Sequence, residues 1–224
     1  MKKLKDIIFA SKKTTVMFVA GALLIVGGGV GGASATMNTT TNTYTATLAQ
    51  DEINVQLLEN GADPGETLLA DSVVTSLKSQ TNNNFYMDHE YTYSLSASNN
   101  GAIDTYTRVV IYKSWQDSTG KVTTLNPDYI ELTFGDGWTE NEAESTDERT
   151  VIYHSGAIAV GQSSEFVKGI KINGAVASVY SSDTGFKYNG LKFNIDARVQ
   201  SVQTHNGADA VENAWGVSSS LVGA

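Results

Sequence analysis

Short runs in which apolar and polar residues alternate recur along most of the chain, and clusters of glycine and asparagine separate them. Within residues 85–98, for example, Tyr91, Tyr93 and Leu95 fall on one face of an extended chain. A period of two is typical of half-buried strands and not of helices. Short strands at regular spacing predict an all-β fold, an antiparallel β-sandwich of jelly-roll type preceded by a helical N-terminal segment.

One run, residues 104–115, carries apolar groups on both faces, with Val110 and Tyr112 on one face and Ile111 on the other. Apolar residues on both faces are expected of a central strand. Arg108 lies in the middle of this run, and we expect it either to form a buried ion pair or to point to solvent.

The remaining elements are less regular. Further strands are predicted at residues 53–58, 129–134, 150–153, 164–172 and 191–202. Residues 68–77 mix apolar and polar types and are expected to be irregular or a strand. A single helical turn is expected at residues 209–214.

The first 35 residues have the three parts of a signal peptide: a lysine cluster, an apolar run at residues 14–26, and small residues at Ala33 and Ala35. We predict cleavage between Ala35 and Thr36 by a signal peptidase. The alternative is a retained membrane anchor, but the strongly apolar part, residues 16–26, is shorter than the roughly 20 residues of a spanning helix. Membrane contact is therefore expected only through the uncleaved signal peptide.

The segment that follows, residues 36–50, is rich in threonine, a residue that favours strands. It is either a flexible new N-terminus or a strand that pairs with another subunit. The candidate donor-strand residues alternate in character: Thr43, Tyr44, Thr45, Ala46, Thr47 and Leu48. The β-domain is expected at residues 51–217, with a short polar tail at residues 218–224.

Charge and cysteine content restrict the partners of this domain. The net charge is -9 for the whole chain and becomes -13 when the five lysines and one aspartate of residues 1–35 are removed. An acidic domain repels nucleic acid and anionic membranes, so neither is an expected partner. The chain has no cysteine, so packing alone must hold its core.

No catalytic set is visible, and we predict neither enzymatic activity nor a cofactor. His89, His154 and His205 lack the spacing of metal ligands and are expected at the surface. A nucleophile elbow of the Gly-x-Ser-x-Gly type is also missing from the sequence.

Acidic residues are densest at residues 136–148, which we interpret as a solvated loop. A loose divalent-cation site is the alternative, because carboxylate oxygens are ligands for such ions. Its candidate ligands are Asp136, Glu140, Glu142 and Glu144.

The tryptophans, Trp115, Trp138 and Trp215, lie far apart in the sequence. Core packing is the default for such large side chains. An aromatic platform for sugars near Trp138 is the alternative.

Six stretches, taken in order, resemble the TasA/camelysin family of biofilm matrix fibre proteins. They are KKTTVMFVAGALLIVGGGVGGASAT (12–36), NTYTATLAQDEINVQLLENG (42–61), NNGAIDTYTRVVIYKSWQDSTGK (99–121), LNPDYIELTF (125–134), VGQSSEF (160–166) and IDARVQSVQTHNGADAVENAWGV (195–217). The first is similar to that family's export signal in Gram-positive bacteria, which a dedicated signal peptidase cuts.

The resemblance implies a secreted jelly-roll domain in the extracellular matrix or at the cell surface. In fibre-forming members, the strand freed by cleavage inserts into the next subunit, which is strand addition to an open sheet edge. Here that strand would come from residues 36–50. The metallopeptidase label of some camelysin relatives is not expected to apply, because zinc-ligand spacing is missing. The alternative function is a monomeric cell-surface adhesion or carbohydrate-binding module.

Overall fold

The computed structural model describes residues 38–40, 53–65, 68–69, 71–182 and 185–224. The predicted signal peptide, with the cleavage residues Ala33, Ala35 and Thr36, lies outside the described residues. So do the donor-strand residues Thr43, Tyr44, Thr45, Ala46, Thr47 and Leu48.

Antiparallel strands dominate the described residues, as the alternating pattern predicts. The first six are β1 Asn38–Thr40, β2 Val55–Glu59, β3 Tyr91–Asn99, β4 Thr105–Asp117, β5 Gly120–Val122 and β6 Ile130–Phe134. The next six are β7 Trp138–Glu140, β8 Arg149–His154, β9 Ser163–Ile172, β10 Tyr180–Ser181, β11 Gly185–Phe186 and β12 Lys192–Gln203. The all-β class is therefore confirmed.

The strands form two main sheets and one small hairpin. Sheet A has the order β1-β12-β4-β8-β7, with β5 pairing to the end of β4. Sheet B has the order β2-β3-β9-β6, and β10 pairs with β11 separately. Strand β4 lies between β12 and β8, which confirms the central position predicted from its two apolar faces.

One hydrophobic core lies between the two sheets. Tyr93 and Phe166 enter it from sheet B, and Ile111 and Ile195 enter it from sheet A. All four are at most 2% exposed. The two sheets therefore pack face to face as an antiparallel sandwich, and packing of this kind supplies the stability that disulfides cannot provide here.

The chain passes from sheet B to sheet A at Gly135, between β6 and β7. A Cβ atom at Gly135 would lie 1.8 Å from the backbone oxygen of Glu165. That distance is far inside van der Waals contact, so the crossing requires a residue without a side chain.

The sequence-based expectation for residues 68–77 was wrong, because a helix, α1 Asp71–Ser79, occupies most of this range. Val73, Val74 and Thr75 are β-branched and favour strands. Packing overrides this preference, since Leu77 is 1% exposed and belongs to the core. Asp71 also lies in the first turn and Lys78 in the last, which suits the helix dipole.

The C-terminal region covers part of the outer face of sheet A. The expected single turn at 209–214 is longer in the structure, a nine-residue helix, α2 Gly207–Trp215, which contacts β12. A 3-10 turn at Ser219–Val222 contacts β8, and Val222 is fully buried. Within the described residues, neither α-helix has the length and apolar character needed to cross a membrane.

Candidate functional site

Strand β12 has one edge that is paired along its whole length and one edge that, among the described residues, is paired at three positions. Its inner edge pairs with β4 along its whole length, from Lys192 opposite Gln116 to Gln203 opposite Thr105. Its outer edge pairs with β1 at three positions: Asn38 with Ser201, Thr39 with Gln200, and Thr40 with Val199. Within the described residues, the outer edge from 192 to 198 therefore presents unpaired backbone donors and acceptors, which suit the addition of a strand.

The side chains along this open edge alternate between the core and solvent. Ile195 and Ala197 point into the core and are 2% and 5% exposed. Lys192 and Arg198 are exposed, and Phe193 packs against the core at its border. A strand added here would therefore need alternating apolar and polar residues in a defined register.

A cleft of about 1090 Å³ opens at the beginning of β12. Its lining is mainly apolar and includes Leu68, Phe85, Trp115, Phe186, Leu191 and Phe193. The rings pack on one another, since Phe85 lies 5.8 Å from Phe193 between ring centroids. The size and apolar character are those of a ligand or peptide groove.

One wall of the cleft is tied to sheet B through a buried carboxylate. Glu59 is 5% exposed, and its Oε1 accepts hydrogen bonds from the Tyr93 hydroxyl at 2.6 Å and from the Leu69 backbone N–H at 2.8 Å. Burial, with the hydrogen bond to Glu59, raises the pKa of Tyr93 well above its usual value. Leu69, which has a φ of 54°, is thereby held on the cleft wall.

Arg108 forms an ion pair on the outer face of sheet A and does not point to solvent. Its Nε donates to Gln200 at 2.6 Å, and its Nη1 donates to the Tyr153 hydroxyl at 2.9 Å and to Glu144 at 3.2 Å. The Tyr153 hydroxyl donates to Glu144 at 2.6 Å, and Arg108 lies 5.0 Å from the Trp215 ring centroid. Burial and the Glu144 carboxylate raise the pKa of Tyr153 to about 12. This network fastens the C-terminal helix to the sheet.

The four acidic candidates for a cation site do not converge. Asp136 is exposed and pairs with Lys168 at 3.2 Å, whereas Glu144 is held by Arg108. Glu140 and Glu142 are exposed at other points of this stretch. Across the described part of the chain, no three His, Cys, Asp or Glu side chains are grouped so as to hold a metal ion.

The tryptophans are all buried, with Trp115 at 4%, Trp138 at 6% and Trp215 at 8% exposure. The Trp138 Nε1 donates to the Ser164 hydroxyl at 2.8 Å, inside the structure. Trp138 therefore provides no exposed platform for a sugar. The histidines agree with the surface expectation at His89 and His205, whereas His154 is half-buried beside Trp138.

Sequence reasoning predicted the strand at 191–202 but did not identify its open edge or the cleft. Both depend on which strands become neighbours, and pairing order is not encoded in the alternation of one strand. The chain matches no model of a known protein family, no curated protein and no solved structure. The edge of β12 and the adjoining cleft are the features of the described residues from which a function can be argued.

Proposed function

We propose that this chain is the exported subunit of an extracellular fibre, in which residues 36–50 of one copy take the place of β1 on β12 of the next copy and extend along its outer edge. On this proposal, residues 1–35 are a signal peptide, and cleavage between Ala35 and Thr36 frees the strand outside the cell. The sandwich is then a jelly-roll domain of the TasA/camelysin type. The observation that carries the proposal is the outer edge of β12, which within the described residues is paired with β1 alone and takes its register from β1.

The register of β1 on β12 can be extended along the open edge. Thr40 lies opposite Val199. Because the strands are antiparallel, each residue after Thr40 lies opposite the residue one position earlier in β12. In this register the apolar pairs are Tyr44 with Ile195, Ala46 with Phe193, and Leu48 with Leu191. The alternate pairs are Thr43 with Asp196, Thr45 with Asn194, and Thr47 with Lys192.

In this extended register, apolar residues lie opposite apolar residues and most polar residues lie opposite polar residues. Directly opposite residues point to the same face of a sheet, so the apolar residues would enter the core and the threonines would face outward. Among residues 41–48, Asn42, opposite Ala197, would be the polar exception on the inner face. A slip by one residue would turn Tyr44 and its apolar neighbours to solvent, so the match favours one register over its neighbours.

The length of the chain favours pairing between copies over pairing within one copy. Val55 pairs with Asn99 at one end of the sandwich, and Lys192 pairs with Gln116 at the other end of β4. The two ends are about 35 Å apart along β4, at about 3.3 Å per residue. Seven residues separate Leu48 from Val55 and span at most about 25 Å. A strand that places its Leu48 at the far end therefore has to come from a second copy.

Strand addition of this kind is a head-to-tail contact, because each copy uses one surface to give and a different surface to receive. Such contacts do not close on themselves and produce filaments. Backbone hydrogen bonds would supply affinity, and the alternating side chains would supply specificity.

Disulfide trapping tests this pairing, because the chain has no cysteine of its own. Two mature chains beginning at Thr36 are prepared, one with Thr45→Cys and the other with Asn194→Cys. Under mild oxidation the mixture should give a disulfide-linked heterodimer on a non-reducing gel. Arg198→Cys replaces Asn194→Cys in the control, because it lies four residues, about 13 Å, out of register along β12.

If Asn194→Cys and Arg198→Cys give equal amounts of heterodimer with Thr45→Cys, the proposed register is wrong. Electron microscopy adds an independent readout: the mature chain should form filaments, and a chain lacking residues 36–50 should stay monomeric. If both chains stay monomeric under all assembly conditions, the fibre proposal fails.

A second candidate function is the monomeric adhesion or carbohydrate-binding module. The apolar cleft favours this alternative, since its aromatic lining and volume suit a small ligand. Glycan-array binding by the monomer, lost on Phe193→Ala in the cleft and kept on Trp138→Phe, would support it.

A further inference from the structure

The exposed large apolar side chains are not scattered over the described surface. Four of them border the mouth of the cleft: Tyr86, Met87, Tyr180 and Phe186, which we call the rim. They are 52%, 49%, 62% and 56% exposed, and Met87 and Phe186 line the cleft itself. The rings of Tyr180 and Phe186 lie 5.4 Å apart. Exposed apolar residues grouped in this way are typical of an interaction surface.

The fifth exposed large apolar residue, Val160, lies at the opposite end of the sandwich. Its neighbour Gly161 donates from its backbone N–H to the Asn99 carbonyl at 2.8 Å, where β3 ends. Asn100 donates in the same way to the Asn54 carbonyl at 2.7 Å, just before β2 begins. We call the end formed by Asn54, Asn100 and Val160 the entry end, because β2, the first strand of sheet B, begins there.

The donor-strand geometry relates these two surfaces. If Leu48 of one copy lies opposite Leu191 of another, the Val55 of the donor copy lies within about 25 Å of the receiving cleft. The entry end of the donor copy includes that residue, and the rim surrounds that cleft. The short connection therefore brings the two surfaces within reach of one another.

We propose that the rim is a docking surface for a second copy of this chain, which contacts it through its entry end. This inference rests on the proposed function, and it adds a contact between folded domains to the strand that links them. Burial of the rim would remove apolar surface from water at the point where the linking strand leaves its own domain. A short connection between two such contacts also makes the second contact effectively intramolecular once the first has formed.

Hydroxyl-radical labelling tests the contact. The full chain, expressed with its export signal and recovered after export, is labelled as assembled filaments and as monomers at low concentration. The expected result is a loss of labelling at Met87, Phe186 and Val160 on assembly. Tyr112 on the outer face of sheet A serves as the control, and its labelling should not change.

A rim variant gives a second readout. Phe186→Asp alters an exposed side chain, so circular dichroism should show an unchanged fold, while the concentration needed for assembly should rise. Thr139→Asp is the control, since Thr139 is exposed on β7 at the other edge of sheet A, and this variant should assemble like the parent chain.

The failures of the two proposals give different results. If Thr45→Cys and Asn194→Cys chains are trapped but rim labelling is unchanged, the docking contact is wrong and the strand addition stands. In that case the rim would bind a different ligand, such as an amphiphile, and not a second copy. If trapping also fails, both proposals are overturned.

Discussion

The hydroxyl of Tyr93 and the carboxylate of Glu59 share a 2.6 Å hydrogen bond inside sheet B, although 34 residues separate them. The same carboxylate holds the backbone N–H of Leu69, so one buried acid connects two strands to a wall of the cleft. A buried carboxylate is tolerated here because it accepts these two hydrogen bonds.

Tyr93→Phe should lower the free energy of unfolding by about 1–3 kcal/mol, because the carboxylate of Glu59 loses one of its two buried donors. Tyr180→Phe removes a hydroxyl from a side chain that is 62% exposed and should be nearly neutral. Urea denaturation of both variants measures the difference. Equal stabilities would show that the Glu59 bond contributes nothing.

Arg108→Lys should destabilise the protein by about 1–3 kcal/mol, since a lysine cannot reproduce the three guanidinium hydrogen bonds to Gln200, Tyr153 and Glu144. The matched substitution is Arg198→Lys, whose pair with Asp196 at 3.3 Å is exposed. Exposed pairs contribute little, so this change should stay within about 0.5 kcal/mol. Guanidinium unfolding compares the two, and a larger loss at Arg198 would contradict the role given to the half-buried Arg108 network.

Stability should fall as the pH rises from about 10 towards 12. The folded state raises the pKa of Tyr153 from 10.0 to about 12, so the folded chain holds this proton more tightly than the unfolded chain. The contribution is fully present below the unfolded pKa and is lost as pH rises through the folded pKa.

Tyr153→Phe should make this alkaline loss of stability less steep. The loss should not disappear, since the pKa of Tyr93 is raised as well. Chemical denaturation at several pH values between 8 and 12, about the range of phenol titration, follows the slope. An identical slope in parent and variant would exclude Tyr153 as a contributor.

Tyr44→Asp should prevent assembly, whereas Thr45→Asp, one residue further, should permit it. In the proposed register Tyr44 enters the core of the receiving copy, where an unpaired carboxylate costs several kcal/mol. Assembly at fixed concentration should then fall by more than about tenfold, since 1.4 kcal/mol corresponds to one factor of ten. Sedimentation of filaments measures both variants, and a stronger effect at Thr45 would indicate the opposite face.

Gly135→Ala should destabilise the fold by about 3 kcal/mol, because the new methyl group would overlap the Glu165 backbone oxygen. Gly156→Ala is the control, since a Cβ atom there meets nothing within 4 Å. Thermal unfolding ranks the two, and equal midpoints would mean that the crossing between the sheets adjusts freely.

Sequence patterns predicted β4 well because both of its faces are apolar and it lies at the centre of sheet A. They failed at α1, where β-branched residues favour a strand but burial of Leu77 selects a helix. Local preference is a few tenths of a kcal/mol per residue, and burial of a leucine outweighs it by about 2 kcal/mol.

Long-range contacts explain the rest of the difference between sequence and structure. Glu144 belongs to an acidic stretch that suggests a solvated loop, yet Arg108, 36 residues away, holds its carboxylate. Trp138, a candidate sugar platform, lies in β7. Because β7 pairs with β8, the ring of His154 packs against the Trp138 ring and helps to bury it. Such partners depend on topology, which alternation along single strands does not encode.

The C-terminal helix α2 and the buried Val222 also restrict how copies of this domain can associate. Sheet A has the core on one face, and these C-terminal elements occupy the part of the other face around Arg108 and Tyr153, so another sheet cannot stack flat on either face. The dry sheet-on-sheet interfaces of amyloid need such a free face. A fibre that grows through sheet A is consequently extended only at the strand edges of this sheet. The thickness of such a fibre stays that of one folded domain.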